Sequence, residues 1–336
     1  MRLFTIAVDA MGGDFAPEIT VKGSVEALRA LADLSIRLVG REEALRPFLA
    51  GAEDVLPRLS VLDAREVIEN TESPVMALRQ KKDASLVRAL ELVRGGEAGA
   101  LVSAGSTGAV MAGAMFRLGR LSGIERPALA TLLPTATGAP ALLVDVGANV
   151  DCQPDWLCQF ARMGAIYMRQ VVGVESPRVA LLSVGEEDEK GNQQTKAAFP
   201  LLKASGLNFI GNIEGRGVPL GETDVVVADG FAGNVLLKTM EGLSKAMFTL
   251  IKQELTASSR AKAGALLVKT ALMQLKQRMN ADDVGGAPLL GAAGAVVKAH
   301  GNSNAHAFAS AIRQAHKMLQ GDVVGLIRRE ITDAQS

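Results

Sequence analysis

Residues 3–40, LFTIAVDAMGGDFAPEITVKGSVEALRALADLSIRLVG, decide the fold class. The apolar run at residues 3–9 predicts a strand, and the glycine turn after it leads into an amphipathic helical pattern at residues 19–32. A second apolar run at residues 36–40 predicts another strand. Strand, helix and strand in this order are typical of a parallel sheet covered by helices.

The same alternation continues along the chain. Further strands are predicted at residues 59–63, 100–103, 141–145, 179–184, 224–228 and 295–299, and further helices at 85–94, 107–120, 154–172, 193–204, 234–254 and 304–319. No internal repeat or low-complexity linker divides them. We therefore expect an α/β fold with a largely parallel sheet, built as one large domain over residues 1–336 or as two lobes that share the sheet.

Composition excludes several classes of protein. The 36 basic residues balance 36 acidic ones, which argues against general nucleic-acid binding. Cys152 and Cys158 cannot form a disulfide framework and fit a reducing cytoplasm. The apolar run at the start is too short for a signal peptide. The two long charge-free stretches, residues 98–116 and 127–144, are interrupted by glycines or prolines, so neither predicts a spanning helix.

Polar, glycine-rich turns follow five of the predicted strands. Ligands of α/β sheets bind outside the carboxyl ends of the strands, and small side chains let backbone N–H groups approach an anion. The sequence therefore predicts one shared polar crevice that binds an anion, without naming it. The turns lie at residues 9–14, 103–108, 145–149, 229–234 and 300–304.

Familiar nucleotide and metal motifs are missing from the sequence. It has neither the phosphate loop of nucleoside triphosphatases nor a dinucleotide-binding glycine motif after the first strand. His306 and His316 would lie roughly 15 Å apart on one helix, so they predict no metal site and are expected to face solvent.

His300 ends a strand beside glycine and asparagine, which favours a place in the site. Cys152 has no neighbouring base and favours a structural thiol.

Two features leave alternatives open. Lys190 ends an acidic run before a helix, where it fits either a solvated loop or a phosphate contact. Residues 255–281 contain no acidic residue. They combine an apolar helical stripe with a basic flank. This predicted arm, taken as residues 245–282, packs on its own core or a second subunit, or else contacts an anionic membrane or an acidic protein.

Taken together, the turn motifs resemble the bacterial phosphate acyltransferases of phospholipid synthesis, the PlsX family, from Ile6 to about Ile312. Two positions depart from the family pattern: Ser106 stands where asparagine is frequent and Asn302 where serine is common. Both keep a hydrogen-bonding group. The matching stretches are VDAMGGDFAP (8–17), VSAGSTGA (102–109), DVGAN (145–149), GEE (185–187), KGN (190–192), ADGFAGN (228–234), GGAPLLG (285–291) and KAHGNSNA (298–305).

The resemblance implies transfer of a fatty acyl group from acyl carrier protein to inorganic phosphate, giving acyl phosphate, with no cofactor and no metal. It also implies a fold like that of isocitrate and isopropylmalate dehydrogenases and phosphotransacetylases. The implied assembly is a cytoplasmic homodimer that contacts the membrane peripherally and supplies a membrane acyltransferase. Two rival functions are a phosphotransacetylase-like enzyme using acyl-coenzyme A, and a membrane scaffold without activity.

This chemistry predicts roles for individual residues. Phosphate is itself a nucleophile, so positioning and electrostatics suffice and no covalent intermediate is required. The proposed catalytic residues are Lys190, His300 and Asp229. Phosphate or substrate contacts are expected from Ser103, Ser106, Thr107, Gly108, Asn149, Gly230, Gly233, Asn234, Asn302 and Ser303. Membrane or carrier contacts are expected from Arg260, Lys262, Leu267, Lys269, Leu275, Lys276 and Arg278.

Overall fold

The computed structural model describes residues 3–278 and 285–333. Within them, one eleven-stranded sheet has the strand order β3-β2-β1-β4-β11-β10-β5-β6-β9-β7-β8. The sheet forms the middle layer of the fold. Its strands are β1 (Phe4–Asp9), β2 (Leu34–Gly40), β3 (Leu59–Asp63), β4 (Ala100–Ser103), β5 (Ala128–Leu133), β6 (Ala141–Val144), β7 (Val179–Leu182), β8 (Phe209–Ile213), β9 (Val225–Val227), β10 (Ala287–Leu290) and β11 (Ala295–Lys298).

Helices cover both faces of the sheet. They are α1 (Glu18–Ala30), α2 (Glu42–Leu45), α3 (Pro74–Gln80), α4 (Ser85–Arg94), α5 (Thr107–Gly113), α6 (Pro154–Tyr167), α7 (Gln193–Lys203), α8 (Gly230–Thr256), α9 (Ser259–Arg278), α10 (Ala305–Gln320) and α11 (Val323–Asp333). Short 3₁₀ turns occupy Arg46–Leu49 and Leu56–Arg58, and π turns extend α5 and α6 through Ala114–Leu118 and Met168–Val172.

The core lies in two layers because the strands are buried on both faces. Helices α1, α6, α7, α10 and α11 pack on one face, where Ile6 and Val8 of β1 point. Helices α3, α4 and α5, with the start of α8, pack on the other, where Ala7 points. This double burial explains the near-continuous apolar runs of the strands, which are characteristic of parallel sheets.

Two antiparallel strands divide the sheet. Strand β10 pairs antiparallel with both β11 and β5, and β5 pairs antiparallel with β6. Strands β3, β2, β1, β4 and β11 therefore run in one direction, and β6, β9, β7 and β8 run in the opposite one. The carboxyl ends of the two groups lie at opposite edges of the sheet. The expectation of one crevice shared by all five turns is wrong.

The predicted elements agree closely with the structure in position. All eight predicted strands are present, with ends within two residues of the expected ones, and the helix predicted at residues 85–94 has those bounds. Strands β5, β8 and β10 were not predicted. Helix α8 starts at Gly230, ahead of the expected residue 234, so the turn motif at residues 229–234 forms the first turn of this helix.

Helices α8 and α9 pack against each other beyond the layered core. Only the start of α8 is buried, through Gly230 and Gly233. Large apolar side chains along the pair are exposed, among them Leu250, Leu266 and Leu267, the last with 88% of its surface accessible. In the described part of the chain no helix is long and apolar enough to cross a membrane.

Candidate active site

A polar row crosses three neighbouring strands of the first group at their carboxyl ends. Asp9 of β1 is in register with Ser103 of β4, and Ser103 is in register with Lys298 of β11. Because side chains alternate between the faces of a sheet, residues in register point to the same face. We call Asp9, Ser103 and Lys298 the Asp9 row. All three are buried.

Hydrogen bonds fix the Asp9 carboxylate. Its two oxygens accept from the Ser85 hydroxyl at 2.6 Å and from the Ser103 hydroxyl at 2.7 Å. Backbone N–H groups of Met11 and Gly12 also point to it. Burial raises the pKa of Asp9, and these hydrogen bonds oppose that rise. The carboxylate thus ties the β1 turn to the starts of α4 and the β4 turn.

Glycines bring the turns of this edge into close contact. A Cβ on Gly12 would lie 2.5 Å from Asp9 Oδ2 and 2.7 Å from the backbone nitrogen of Gly105. Gly13 has a φ of +111°, a conformation that favours glycine, and its position borders Ala104 and the carbonyl oxygen of Gly301. A side chain at either glycine would collide with the neighbouring turn, so the turns after β1, β4 and β11 pack closely.

Lys298 was not predicted as a site residue. Its side chain is only 9% exposed, and its ammonium donates a hydrogen bond to the carbonyl oxygen of Ala299. Burial lowers the pKa of Lys298 to about 8, although the charges of Asp14 and Asp9 oppose that fall. The sequence signal was a lysine that ends an otherwise apolar strand.

Several predicted site residues surround this edge. His300 and Asn302 are exposed in the turn after β11, and Ser303 of that turn is buried. Ser106 is half-buried after β4, while Thr107 and Gly108 are exposed at the start of α5. Ser103 does not reach the surface, because its buried hydroxyl donates to Asp9 and accepts from Gly105. The structure thus gives Ser103 a supporting position instead of the predicted substrate contact.

The second group of strand ends contains a carboxylate enclosed by its own turn. Buried Asp145 accepts hydrogen bonds from the backbone N–H groups of Leu129, Gly147, Ala148 and Asn149. The Asn149 side chain donates to Asp145 and to the Pro127 carbonyl oxygen. Burial is the largest influence on the pKa of Asp145 and raises it. The half-buried Asn149 thus holds the turn together, and its contact with a substrate stays a prediction.

Asp229 begins α8 as its N-cap. Its Oδ1 accepts from the N–H groups of Phe231 and Ala232. The helix start then meets the Asp145 turn so closely that Gly230 approaches the Asn149 carbonyl and Gly233 approaches the Asp145 carbonyl. Gly230 and Gly233 are therefore packing positions. Asn234 is exposed beside Gly147.

Lys190 lies at the second edge, not beside His300. It is exposed in the loop after β7, where its side chain lies over Gly185. A cavity of about 490 Å³ next to this loop is lined by polar and apolar groups, including Ser183, Asn192 and Asp229. The structure thus brings Lys190, Asp229 and Asn234 to one edge and His300, Ser106, Thr107 and Asn302 to the other.

An apolar cavity of about 420 Å³ reaches His300. Strand β5, the loop after it and the middle of α8 form its walls. Among the lining residues are Leu132, Leu237, Met240 and Leu243, and His300 and Gly285 also line the cavity. A largely apolar cavity with a few polar groups at one side is typical of a small-ligand site.

The cysteines and the other two histidines have structural surroundings. The Cys152 thiol donates to the Asn149 carbonyl oxygen, and burial raises its pKa to about 12, so it is a poor nucleophile. His306 Nδ1 lies 2.8 Å from Glu26. His316 is only 2% exposed and lies 2.9 Å from Asp33, so its predicted solvent exposure is wrong. Among the described residues no group of three possible metal ligands occurs.

The predicted membrane or carrier contacts lie on α9. Arg260, Lys262, Leu267, Lys269 and Leu275 are all exposed. The side chains of Lys276 and Arg278 lie outside the described residues.

The fold is that of the phosphotransacetylases. A phosphotransacetylase from Streptococcus pyogenes superposes with a TM-score of 0.60 at 16% sequence identity, covering 94% of each chain. A phosphotransacetylase from Staphylococcus aureus, EutD, superposes equally well, with a TM-score of 0.60 and 16% identity. At this identity the likeness concerns the fold alone.

Sequence comparison gives the family. Residues 4–326 match the model of the family described as fatty acid synthesis protein, and the chain belongs to that family. A relative from Geobacillus thermodenitrificans, named phosphate acyltransferase, is 51% identical over 326 residues, which cover 97% of this chain and 98% of the relative. A phosphate acyltransferase from Caldanaerobacter subterraneus is 50% identical over 97% of each chain.

Proposed function

We propose that this chain is a phosphate acyltransferase that moves a fatty acyl group from acyl carrier protein to inorganic phosphate, without a cofactor. One observation carries the proposal beyond the family relationship. At His300, a polar edge built from glycine turns meets an apolar cavity of about 420 Å³. The two substrates need these two environments, because phosphate is an anion and the acyl chain is apolar.

The reaction joins a phosphate oxygen to the thioester carbonyl carbon and breaks the carbon–sulfur bond. The products are acyl phosphate and the free thiol of the carrier. Ser106, Thr107 and Asn302 offer hydroxyl and amide donors at the first edge, and His300 lies between that edge and the cavity. These groups orient the phosphate and stabilise negative charge that develops on the carbonyl oxygen.

Lys190, Asp229 and Asn234 are proposed to act at the second edge. Lys190 supplies positive charge there, and Asp229 fixes the start of α8 through its hydrogen bonds to Phe231 and Ala232. An anionic part of the donor is the expected contact of Lys190. Lys190 and His300, both proposed as catalytic residues, therefore lie at different edges, because His300 belongs to the first edge.

Thiol release from a long-chain acyl carrier protein, measured with and without phosphate, tests the activity. We expect release that depends on phosphate, together with acyl phosphate that hydroxylamine traps as the hydroxamate. Equal release without phosphate would indicate hydrolysis and contradict the proposal. Turnover of acyl-coenzyme A but not of the carrier-bound donor would favour a phosphotransacetylase, whose fold the chain shares.

His300→Ala is expected to lower kcat/KM by about 100-fold, the usual effect of removing a group that assists proton transfer or stabilises charge. His306→Ala is the matched control, because His306 is exposed on α10 and its Nδ1 lies 2.8 Å from Glu26 of α1. Steady-state kinetics with the carrier-bound donor measure both variants. Equal activity of the two variants would remove His300 from the site.

We further propose that the second half of α8, from residue 245, and α9 form the projecting arm predicted at residues 245–282, on the single domain of a homodimer. Residues 279–282 of that range lie outside the described residues. The arm presents an exposed apolar row beside the basic side chains Arg260, Lys262 and Lys269. Such a surface fits the anionic surface of a membrane, and it also fits the acidic carrier protein. Peripheral membrane contact would bring acyl phosphate close to a membrane acyltransferase that uses it.

Charge reversal on α9 tests the membrane contact. Lys262→Glu with Lys269→Glu is expected to weaken binding to vesicles of anionic lipid at least tenfold, since each basic residue near such a surface contributes about 1 kcal/mol. Vesicle co-sedimentation measures the effect. Lys22→Glu with Lys203→Glu is the control, because it changes the charge equally at exposed positions away from the arm. Equal loss in both pairs would indicate a general charge effect.

A further inference from the structure

Lys298 is a buried cation whose ammonium has one backbone acceptor and no ion-pair partner among the described residues. Its side chain is nine-tenths buried. Within residues 3–278 and 285–333, the acceptor in contact with the ammonium is the carbonyl oxygen of the adjacent residue, Ala299. An ammonium has three N–H donors, and a buried charge is costly unless it is paired. The site is therefore suited to an anionic ligand.

The carboxylates nearest to Lys298 do not satisfy it. Asp9 is the partner of two serine hydroxyls and two backbone N–H groups. Asp14 is exposed in the turn after β1, and its Oδ1 accepts from the Asn70 side chain at 3.4 Å. Both carboxylates influence the ammonium through their charge, and neither forms an ion pair with it within the described residues.

We propose that Lys298 is a catalytic residue whose ammonium binds the incoming phosphate and transfers a proton to the leaving sulfur. This rests on the proposed function. The position supports it, because Lys298 ends β11 two residues before His300, where the polar edge meets the apolar cavity. The turns after β1, β4 and β11 meet at this end of the sheet, where Gly12 lies against Gly105 and Gly13 lies against the carbonyl oxygen of Gly301.

The step balances without any further reactant. Hydrogen phosphate dianion attacks the carbonyl carbon, forming the carbon–oxygen bond, and the carbon–sulfur bond breaks with its electron pair on sulfur. The thiolate takes a proton from the Lys298 ammonium. The phosphate hydroxyl proton then passes to the Lys298 amine and restores the ammonium. Acyl phosphate leaves as the dianion, and the carrier leaves as the neutral thiol.

The acidity of Lys298 fits this transfer. With a pKa of about 8, the ammonium is close in acidity to an ordinary thiol, whose pKa is about 8.5. A proton carrier is most effective when its pKa lies near the working pH. Among the described residues, the charged groups that influence the ammonium are Asp14, from the turn after β1, and Asp9, from β1 itself.

Two substitutions separate charge from proton transfer. Lys298→Arg keeps the positive charge but cannot release a proton, so we expect phosphate KM within about threefold of wild type and a kcat at least 100-fold lower. Lys298→Met removes both functions and is expected to raise phosphate KM as well. Lys22→Met, an exposed lysine paired with Glu18, is the control and is expected to keep full activity.

The pH profile of the unmodified protein gives an independent readout. Because the ammonium is the active form, kcat/KM is expected to fall tenfold for each pH unit above about 8. In the Lys298→Arg variant, the residual kcat/KM should show no such fall above pH 8, so the basic limb of the pH profile should be absent. A Lys298→Arg variant with wild-type kcat and an unchanged basic limb would overturn the proton-transfer role.

Binding of inorganic phosphate alone tests the role of Lys298 without any acyl donor. Calorimetric titration of the full chain with phosphate is expected to give a Kd that rises at least tenfold between pH 7 and pH 9.5. It should also rise at least tenfold in Lys298→Met at pH 7. Unchanged phosphate affinity in a folded Lys298→Met variant contradicts the proposal. Absence of acyl phosphate from the wild type, with this phosphate binding intact, contradicts the proposed function instead.

Discussion

Asp9→Ala is expected to lower the free energy of unfolding by about 3–5 kcal/mol and to abolish activity. The substitution leaves the Ser85 and Ser103 hydroxyls and the N–H groups of Met11 and Gly12 without their acceptor, in a site where Asp9 is only 2% exposed. Each buried donor without a partner costs about 1–3 kcal/mol. Urea unfolding followed by circular dichroism measures the loss.

Asp9→Asn separates the hydrogen bonds from the charge. The amide keeps the volume and one acceptor, so we expect a loss smaller than that of Asp9→Ala. Burial raises the pKa of Asp9, so its contribution to stability is fully present below its ordinary pKa of 3.8 and is lost as pH rises through the raised value. The stability advantage of the wild type over Asp9→Asn should therefore shrink from pH 4 towards pH 8. An advantage that grows over that range would contradict this assignment.

Gly233→Ala is expected to cost at least about 3 kcal/mol and to displace the start of α8. A Cβ at this position would overlap the carbonyl oxygen of Asp145, at 1.9 Å, and backbone on both sides prevents relief. The Asp145 turn and the Asp229 cap would then separate. Thermal unfolding and the activity assay measure the effect, and both are expected to fall.

Gly242→Ala is the matched control in the same helix. A Cβ at Gly242 meets nothing within 4 Å, and alanine is the better helix former. We expect this variant to be more stable than the wild type by about 0.5–1 kcal/mol, with activity unchanged. If both variants lost stability equally, helix propensity and not the contact with Asp145 would be responsible.

Sequence periodicity predicted the parallel strands other than β8 because each is a short apolar run between a turn and an amphipathic helix. It missed β5 and β10 because both adjoin prolines and glycines, so their four to six apolar residues resemble connecting segments. Pro288 lies inside β10 itself. These are the two strands that reverse the sheet, and without them all strand ends were expected at one edge. The turns do follow the strand ends as expected, but the sequence assigned them to a single crevice.

The sequence predicts where the polar turns lie, but it does not predict how individual side chains are placed in them. A serine at a strand end predicts a hydrogen-bond donor for a ligand, yet the buried Ser103 hydroxyl donates to Asp9. Lys298 was overlooked because a lysine at the end of a strand usually points to water. Its burial depends on β4 and the turn after β1, which are distant in sequence, and no local pattern contains that information.

The place of β11 has a consequence for synthesis on the ribosome. This strand completes the sheet beside β4, although roughly 190 residues separate the two along the chain. At about 5–20 residues per second, translation of that interval takes about 10–40 s. For that time β4 presents an unpaired edge, the kind of surface on which nascent chains aggregate. The first half of the sheet therefore stays incomplete until β11 is synthesised. Folding of this half in the cell is expected to depend on chaperones that shield such edges.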